Sequence, residues 1–238
     1  MGVKYKVNEN FFKTWARNSS YVLGLLFADG SLENAAYIRG KYVRLTSTDR
    51  SLIEQVKNTL NSQHKVVTIP SSGNRKEQYL LRIGSHKIYN DLENLGLHPR
   101  KSLDMEFPHI PYRFLSDFVR GYFDGDGCMA LESVKNRPHN RLKVIFTSGS
   151  KEFLGSLSKN LKQRCLGKTG KVYDSHRSYQ LIYNSVDAVK ILEFMYSKAW
   201  ERKLLYLDRK YLKYEKLFLA PDAFRCENIF DKQSRAWN

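Results

Sequence analysis

Two aspartates stand at the ends of two nearly matching segments, Tyr21-Val22-Leu23-Gly24-Leu25-Leu26-Phe27-Ala28-Asp29-Gly30 and Phe118-Val119-Arg120-Gly121-Tyr122-Phe123-Asp124-Gly125-Asp126-Gly127. Each segment reads as an apolar helix with a small residue in mid-course. Each ends in a carboxylate followed by glycine. Either one alone reads equally well as a helix closed by an Asp-Gly turn, with glycine supplying the left-handed cap. Taken as a pair they ask for more, because an acid at a helix C-terminus opposes the macrodipole and two such acids repel. A divalent cation with oxygen ligands offsets both effects, and Mg2+ (or Mn2+) accepts one or two carboxylates completed by water and phosphate oxygens. The carbonyls of Ala28 and Gly125, at the same helix ends, are further candidate ligands. Metal-binding acids in a strongly basic chain point to phosphodiester hydrolysis. Asp124 stands opposite Phe27 of the first copy and so breaks the repeat, which favours a structural role for it.

The elements that would position these acids follow from a self-comparison of the chain. Gly24 and Ala28, like Gly121 and Gly125, lie one helical turn apart on one face. Small residues there let two helix backbones pack closely, which sets the two acids side by side. After each motif comes a hairpin whose second arm alternates with period two, Tyr42 to Ser47 and Lys143 to Ser148, with Val43 and Leu45 matching Val144 and Phe146 on the helix-facing side. Asp49 and Ser150 are N-caps for helices whose apolar residues recur at helical spacing: Leu52, Ile53, Val56 and Leu60, then Phe153, Leu154, Leu157 and Leu161. Two more strands and a closing helix, Ser85 to Leu95 or Ser185 to Met195, complete each copy as αββαββα. The predicted organisation is a first repeat over 1–95, a linker over 96–111 rich in proline, a second repeat over 112–217 and a tail over 218–238. A further basic helix is expected over 203–217.

Composition bounds the class. The 238 residues carry 40 Lys and Arg against 24 Asp and Glu, a formal net charge of +16, which suits a polyanion partner. A ribosome-associated protein or a membrane-surface binder shares that balance, and charge does not say which nucleic acid is bound. No apolar run reaches the length of about 18 residues that a membrane-spanning helix needs. Residues 1–20 lack the pattern of a secretion signal, so an intracellular location is expected, with the compartment open. Cys128, Cys165 and Cys226 lack metal-type spacing and are expected to be reduced, buried thiols.

Residues 22–30 and 119–127 resemble the defining motif of the LAGLIDADG homing endonucleases in their monomeric, two-repeat form, and the resemblance extends over about residues 12–213. It implies an α+β fold: two pseudo-symmetric repeats, each with a four-stranded antiparallel sheet, packed through two central helices and forming a saddle over double-stranded DNA. It implies that Asp29 and Asp126 bind the catalytic metals and that the product is a staggered double-strand break at a site-specific target. A basic residue near the end of each repeat completes the family's site. The shared Arg-Lys pairs select Lys101 and Lys210 as catalytic candidates, with Lys203 as a rival in the second copy. The family also places polar residues past the second strand, here Ser47 and Ser148, whose short side chains argue against a direct contact.

The resemblance assigns DNA reading to the sheet face away from the helices. In the first half this names Arg39, Tyr42, Arg44, Lys76, Gln78 and Arg82. In the second it names Arg141, Lys143, Arg177, Ser178 and Gln180. Arginine and glutamine make bidentate contacts to guanine and adenine, while lysines at hairpin tips hold phosphates. Since the halves differ residue by residue, the expected target is long and only partly palindromic. The alternative on the same scaffold is a non-cutting protein, an RNA maturase with intron RNA as partner or a transcription regulator, for which loss of one or both acids would be the mark.

Overall fold

The computed structural model describes residues 5–101, 103–133 and 140–219. Its element order is that of two αββαββα repeats followed by one more helix. The first repeat holds α1 (Arg17–Asp29), β1 (Gly30–Ala35), β2 (Gly40–Ser47), α2 (Arg50–Thr59), β3 (Val66–Ile69), β4 (Gln78–Gly84) and α3 (His86–Asn94). The second holds α4 (Leu115–Asp126), β5 (Gly127–Glu132), β6 (Arg141–Ser148), α5 (Lys151–Leu161), β7 (Lys171–Ser175), β8 (Ser178–Asn184) and α6 (Ser185–Tyr196), and α7 (Asp208–Leu219) closes it. Each repeat builds one four-stranded antiparallel sheet, in the orders β1-β2-β4-β3 and β5-β6-β8-β7.

Alternation decides which face of each sheet is covered. Val43, Leu45, Leu81 and Ile83 in one sheet, and Val144, Phe146, Leu181 and Tyr183 in the other, are buried under the helices. The residues between them face the opposite way. Asp49 Oδ1 accepts from Leu52 N–H at 3.2 Å and Ser150 Oγ from Phe153 N–H at 3.2 Å, so α2 and α5 start where their caps put them. The expected apolar stripes of both helices are buried.

The repeats meet along α1 and α4, and the small residues set how closely. A Cβ built on Gly24 would stand 2.1 Å from the Phe118 carbonyl oxygen, and one on Gly121 would stand 2.0 Å from that of Tyr21. Any larger residue would collide with backbone. The second small pair, Ala28 and Gly125, continues the seam, since a Cβ on Gly125 would fall 2.4 Å from that of Ala28.

Two expectations need correction. The last helix begins at Asp208 rather than 203: Lys203 is in the left-handed region (φ 48°), and the following backbone serves as a ligand for α4 instead of forming helix. Arg120 Nε donates to Leu205 O at 2.9 Å and Asp124 accepts from Leu207 N–H at 2.9 Å. The thiols are not all buried either. Cys128 is exposed on the open face of the second sheet and Cys165 is half-buried, while Cys226 and most of the 218–238 tail lie outside the described residues. Among the described residues, no helix is long and apolar enough to cross a membrane.

Candidate active site and nucleic-acid interface

The seam delivers both acids to one place. A Cβ on Gly125 would lie 3.0 Å from Asp29 Oδ2, so the carboxylate of α1 touches the last turn of α4, next to Asp126. Both aspartates are open to solvent on one side and crowded by protein on the other. Crowding strips water from the Asp29 carboxylate and, together with the charge of Asp126, pushes its pKa up to about 6. Asp126 is raised for the first of these reasons, with Lys101 and Lys210 opposing. Two acids held partly desolvated at the negative ends of two helices are an arrangement that favours a bound cation.

Lys101 and Lys210 are buried beside them. Lys101 Nζ donates to the carbonyls of Phe27 (2.7 Å) and Ala28 (3.2 Å), and so caps α1. Lys210 Nζ donates to the carbonyls of Asp124 (2.9 Å), Gly127 (2.7 Å) and Phe123 at the end of α4. Desolvation lowers the pKa of both, that of Lys210 to about 8, while Asp29 and Asp126 pull Lys101 back up. An ammonium has three donors. Lys101 spends two on carbonyls and keeps one for water or phosphate, whereas Lys210 spends all three. The Ala28 carbonyl accepts from Lys101 with one of its two lone pairs, and the Lys210 contacts pass over the carbonyl of Gly125. Lys203, the rival to Lys210, is exposed on a surface turn.

Asp124 is a buried strut. It accepts from Tyr21 OH at 2.7 Å, from Tyr196 OH and from Leu207 N–H, tying α4 to α1, α6 and the lead-in to α7. Ser47 and Ser148 each accept the N–H two residues on, at 3.1 Å, and so serve the turns into α2 and α5.

The open sheet faces carry the candidates for DNA contact. Tyr42, Arg44, Gln78 and Arg82 share one face, Arg141, Lys143, Ser178 and Gln180 the other, while Arg39, Lys76 and Arg177 lie at hairpin ends. Two glutamates that the sequence reading passed over organise these cations. Glu33 takes Arg82 through Nε (3.1 Å) and Nη2 (2.8 Å), and Glu132 takes Arg141 (2.9 Å) and Lys143 (2.7 Å). The signal was available in the cross-strand pairing, since Glu132 stands opposite Arg141, and Glu33 lies two rungs from Arg82 on the same face.

Comparison with known proteins agrees with this architecture. The model of the LAGLIDADG-like domain matches the chain twice, over residues 18–96 and 113–195. Two curated relatives from Methanocaldococcus jannaschii share a segment with it: a probable translation initiation factor IF-2, 29% identical over 168 residues, and a reverse gyrase, 26% identical over 181 residues. The matches cover 67% and 76% of this chain but only 12% and 10% of those proteins. This chain thus spans about a tenth of the length of each. Among solved structures, the I-LtrWI LAGLIDADG homing endonuclease bound to target DNA is similar with TM-score 0.57 at 14% identity, covering 90% of this chain and 92% of that one. Mesophilic variants of the homing endonuclease I-DmoI give TM-score 0.52 at 21% identity, over 80% and 93%. At such identities the likeness is one of fold. The family matches fall one on each repeat, together span more than half of the sequence, and each begins within or just before a seam helix: the chain belongs to the LAGLIDADG-like domain family.

Proposed function

We propose that the protein is a site-specific endonuclease that cuts both strands of duplex DNA as a monomer. One observation carries this reading: two acids from different repeats meet at the seam, each backed by a buried lysine, between two sheets whose open faces are basic. A non-cutting maturase or regulator would have no need of both acids.

The donor set fits Mg2+. Among the described residues no cluster of three or more His, Cys, Asp or Glu is gathered, so the protein offers two carboxylates and leaves the other positions to water and phosphate oxygens. Asp29 and Asp126 would hold the ions, which when bound supply charge for activating water and for stabilising the leaving oxygen. In each strand, water adds to phosphorus and one P–O ester bond breaks. Lys101, through its uncommitted N–H, stabilises charge on the phosphate. The hairpin-end residues Arg39, Lys76 and Arg177 hold the DNA backbone, and the open sheet faces read base edges in the major groove.

The test is Asp29→Asn and Asp126→Asn, singly and together, on a target selected from a randomised duplex library with Mg2+. Double-strand cleavage is expected to vanish in each while binding persists. Unimpaired cutting by the double variant would refute the assignment.

A further inference from the structure

The two sheets are alike on their buried faces and opposite in chemistry at the centre of their open ones. In the first sheet the central rung runs Ser31–Arg44–Arg82. The same rung of the second runs Cys128–Ile145–Ile182. Both isoleucines are half-exposed, on the side opposite the buried Val144, Phe146 and Leu181. Nothing in folding asks for isoleucines there, since the helices cover the other face.

Arg82 of the first rung is set for bidentate recognition. Glu33 occupies the Nε side of Arg82, and the Tyr42 ring lies 3.5 Å from its guanidinium carbon, so the plane is fixed and the outer Nη1/Nη2 edge is left for a partner. That edge of Arg82 matches guanine O6 and N7. Arg44 stands directly opposite it with its Nε turned away from solvent, so its terminal Nη groups are what it offers to a base.

We infer that the sheets read different bases at equivalent positions of the two half-sites: guanine under Arg44 and Arg82, and the C5-methyl group of thymine under Ile145 and Ile182. Duplex DNA is the occupant that suits the second rung because its surroundings are cationic. Lys171 continues the rung beside Ile182, and Lys143 and Arg141 precede Ile145 along the same face of its own strand, held by Glu132 with a net positive charge, so an apolar contact there is bordered by cations. In the major groove the thymine methyl is the apolar group available to meet it. The inference rests on the endonuclease reading for the presence of DNA, and goes beyond it in assigning bases.

The experiment is binding selection of the full chain from randomised duplexes, with Ca2+ replacing Mg2+ to withhold cleavage, followed by chemical edits of the selected site. Guanine is expected on the first half and thymine on the second, at positions related by the pseudo-twofold. Replacing those thymines by deoxyuridine removes only methyls and should weaken binding about fourfold for each. The Ile145→Ala, Ile182→Ala double variant should be indifferent to the same edit. Replacing the guanines should cost roughly 5- to 150-fold. An enriched site that lacks thymine at those positions, or that tolerates uracil unchanged, overturns the inference while leaving the endonuclease reading intact. Enrichment of no sequence at all overturns both.

Discussion

Gly121→Ala tests the seam on which the site depends. The added methyl would stand 2.0 Å from the Tyr21 carbonyl oxygen and 3.1 Å from Leu25 N. With an ordinary C···O contact of about 3.3 Å, the two helices must part by about 1.3 Å. The obstruction is backbone in the middle of a fully buried helix pair, so no flexible side chain can swing aside. Overpacking of this kind costs about 1–3 kcal/mol or more, against about 0.5–1 kcal/mol gained by replacing glycine in a helix. A net loss of roughly 2 kcal/mol is expected, read as a fall in the urea midpoint at unchanged slope. Gly155→Ala is the control. It also lies within a helix, α5, but its Cβ would meet nothing within 4 Å, so the same substitution should stabilise by about 0.5–1 kcal/mol. Adding Gly24→Ala to Gly121→Ala should cost less than the two single losses together, because helices already parted leave room for the second methyl. If Gly121→Ala and Gly155→Ala shift the midpoint in the same direction, the close packing of the seam is refuted.

Asp124→Ala strands three buried donors and should lower stability by about 3 kcal/mol or more, measured by denaturant unfolding. Asp124→Asn should cost less, since its oxygen still serves Tyr21 and Leu207 while the Tyr196 hydroxyl turns to accept. For Asp29 the folded-state pKa, about 6, lies above the unfolded one, so the folded protein binds the proton more tightly. Metal-free protein should therefore lose this contribution to stability as pH rises from about 4 through 6, and melting curves in EDTA should show it, with Asp29→Asn flattening that part of the profile. Lys101→Met should slow single-turnover strand cleavage more than Lys210→Met, because only Lys101 keeps a donor uncommitted. Lys210→Met should cost more stability, because three carbonyls lose their donor rather than two. A reversed order in either assay would contradict the donor count.

What repeated in the sequence was legible. The helix-facing pairs Val43/Val144 and Leu45/Phe146, the caps Asp49 and Ser150, and the spacing of Gly24 and Gly121 from their acids are local patterns, and each copy vouches for the other. What did not repeat was legible only in part. Asp124 could be set apart because Phe27 stands in its place. Its partners, however, are 103, 72 and 83 residues away, beyond the reach of any local rule. The segment before α7 carries helix-forming residues, but Arg120 and Asp124 claim its backbone, and a tertiary demand overrides propensity. That Lys101 and Lys210 cap helices by reaching carbonyls, rather than merely lying near acids, is likewise a fact of three dimensions.

The exchange of Phe27 for Asp124 shows how two helix ends reach one geometry by opposite chemistry. Phe27 packs its ring against Phe118 at 5.5 Å and Phe153 at 6.2 Å, an apolar environment that would leave a carboxylate there without a donor. Asp124 meets two hydroxyls and an amide, which a phenyl ring would leave unpaired. Neither residue can move to the other position, although the backbones around them correspond. The identity at each end is therefore set by what packs from outside the seam: an aromatic cluster on one side, and on the other the irregular segment that leads into α7, the helix that carries Lys210. Since the first repeat's lysine arrives from the segment following α3, with no helix like α7 to be anchored, its helix end has no use for an acid at that position. Bringing the two acids together needs the seam to be symmetric at Gly24, Gly121 and the two final aspartates, and the copies agree at each of these positions.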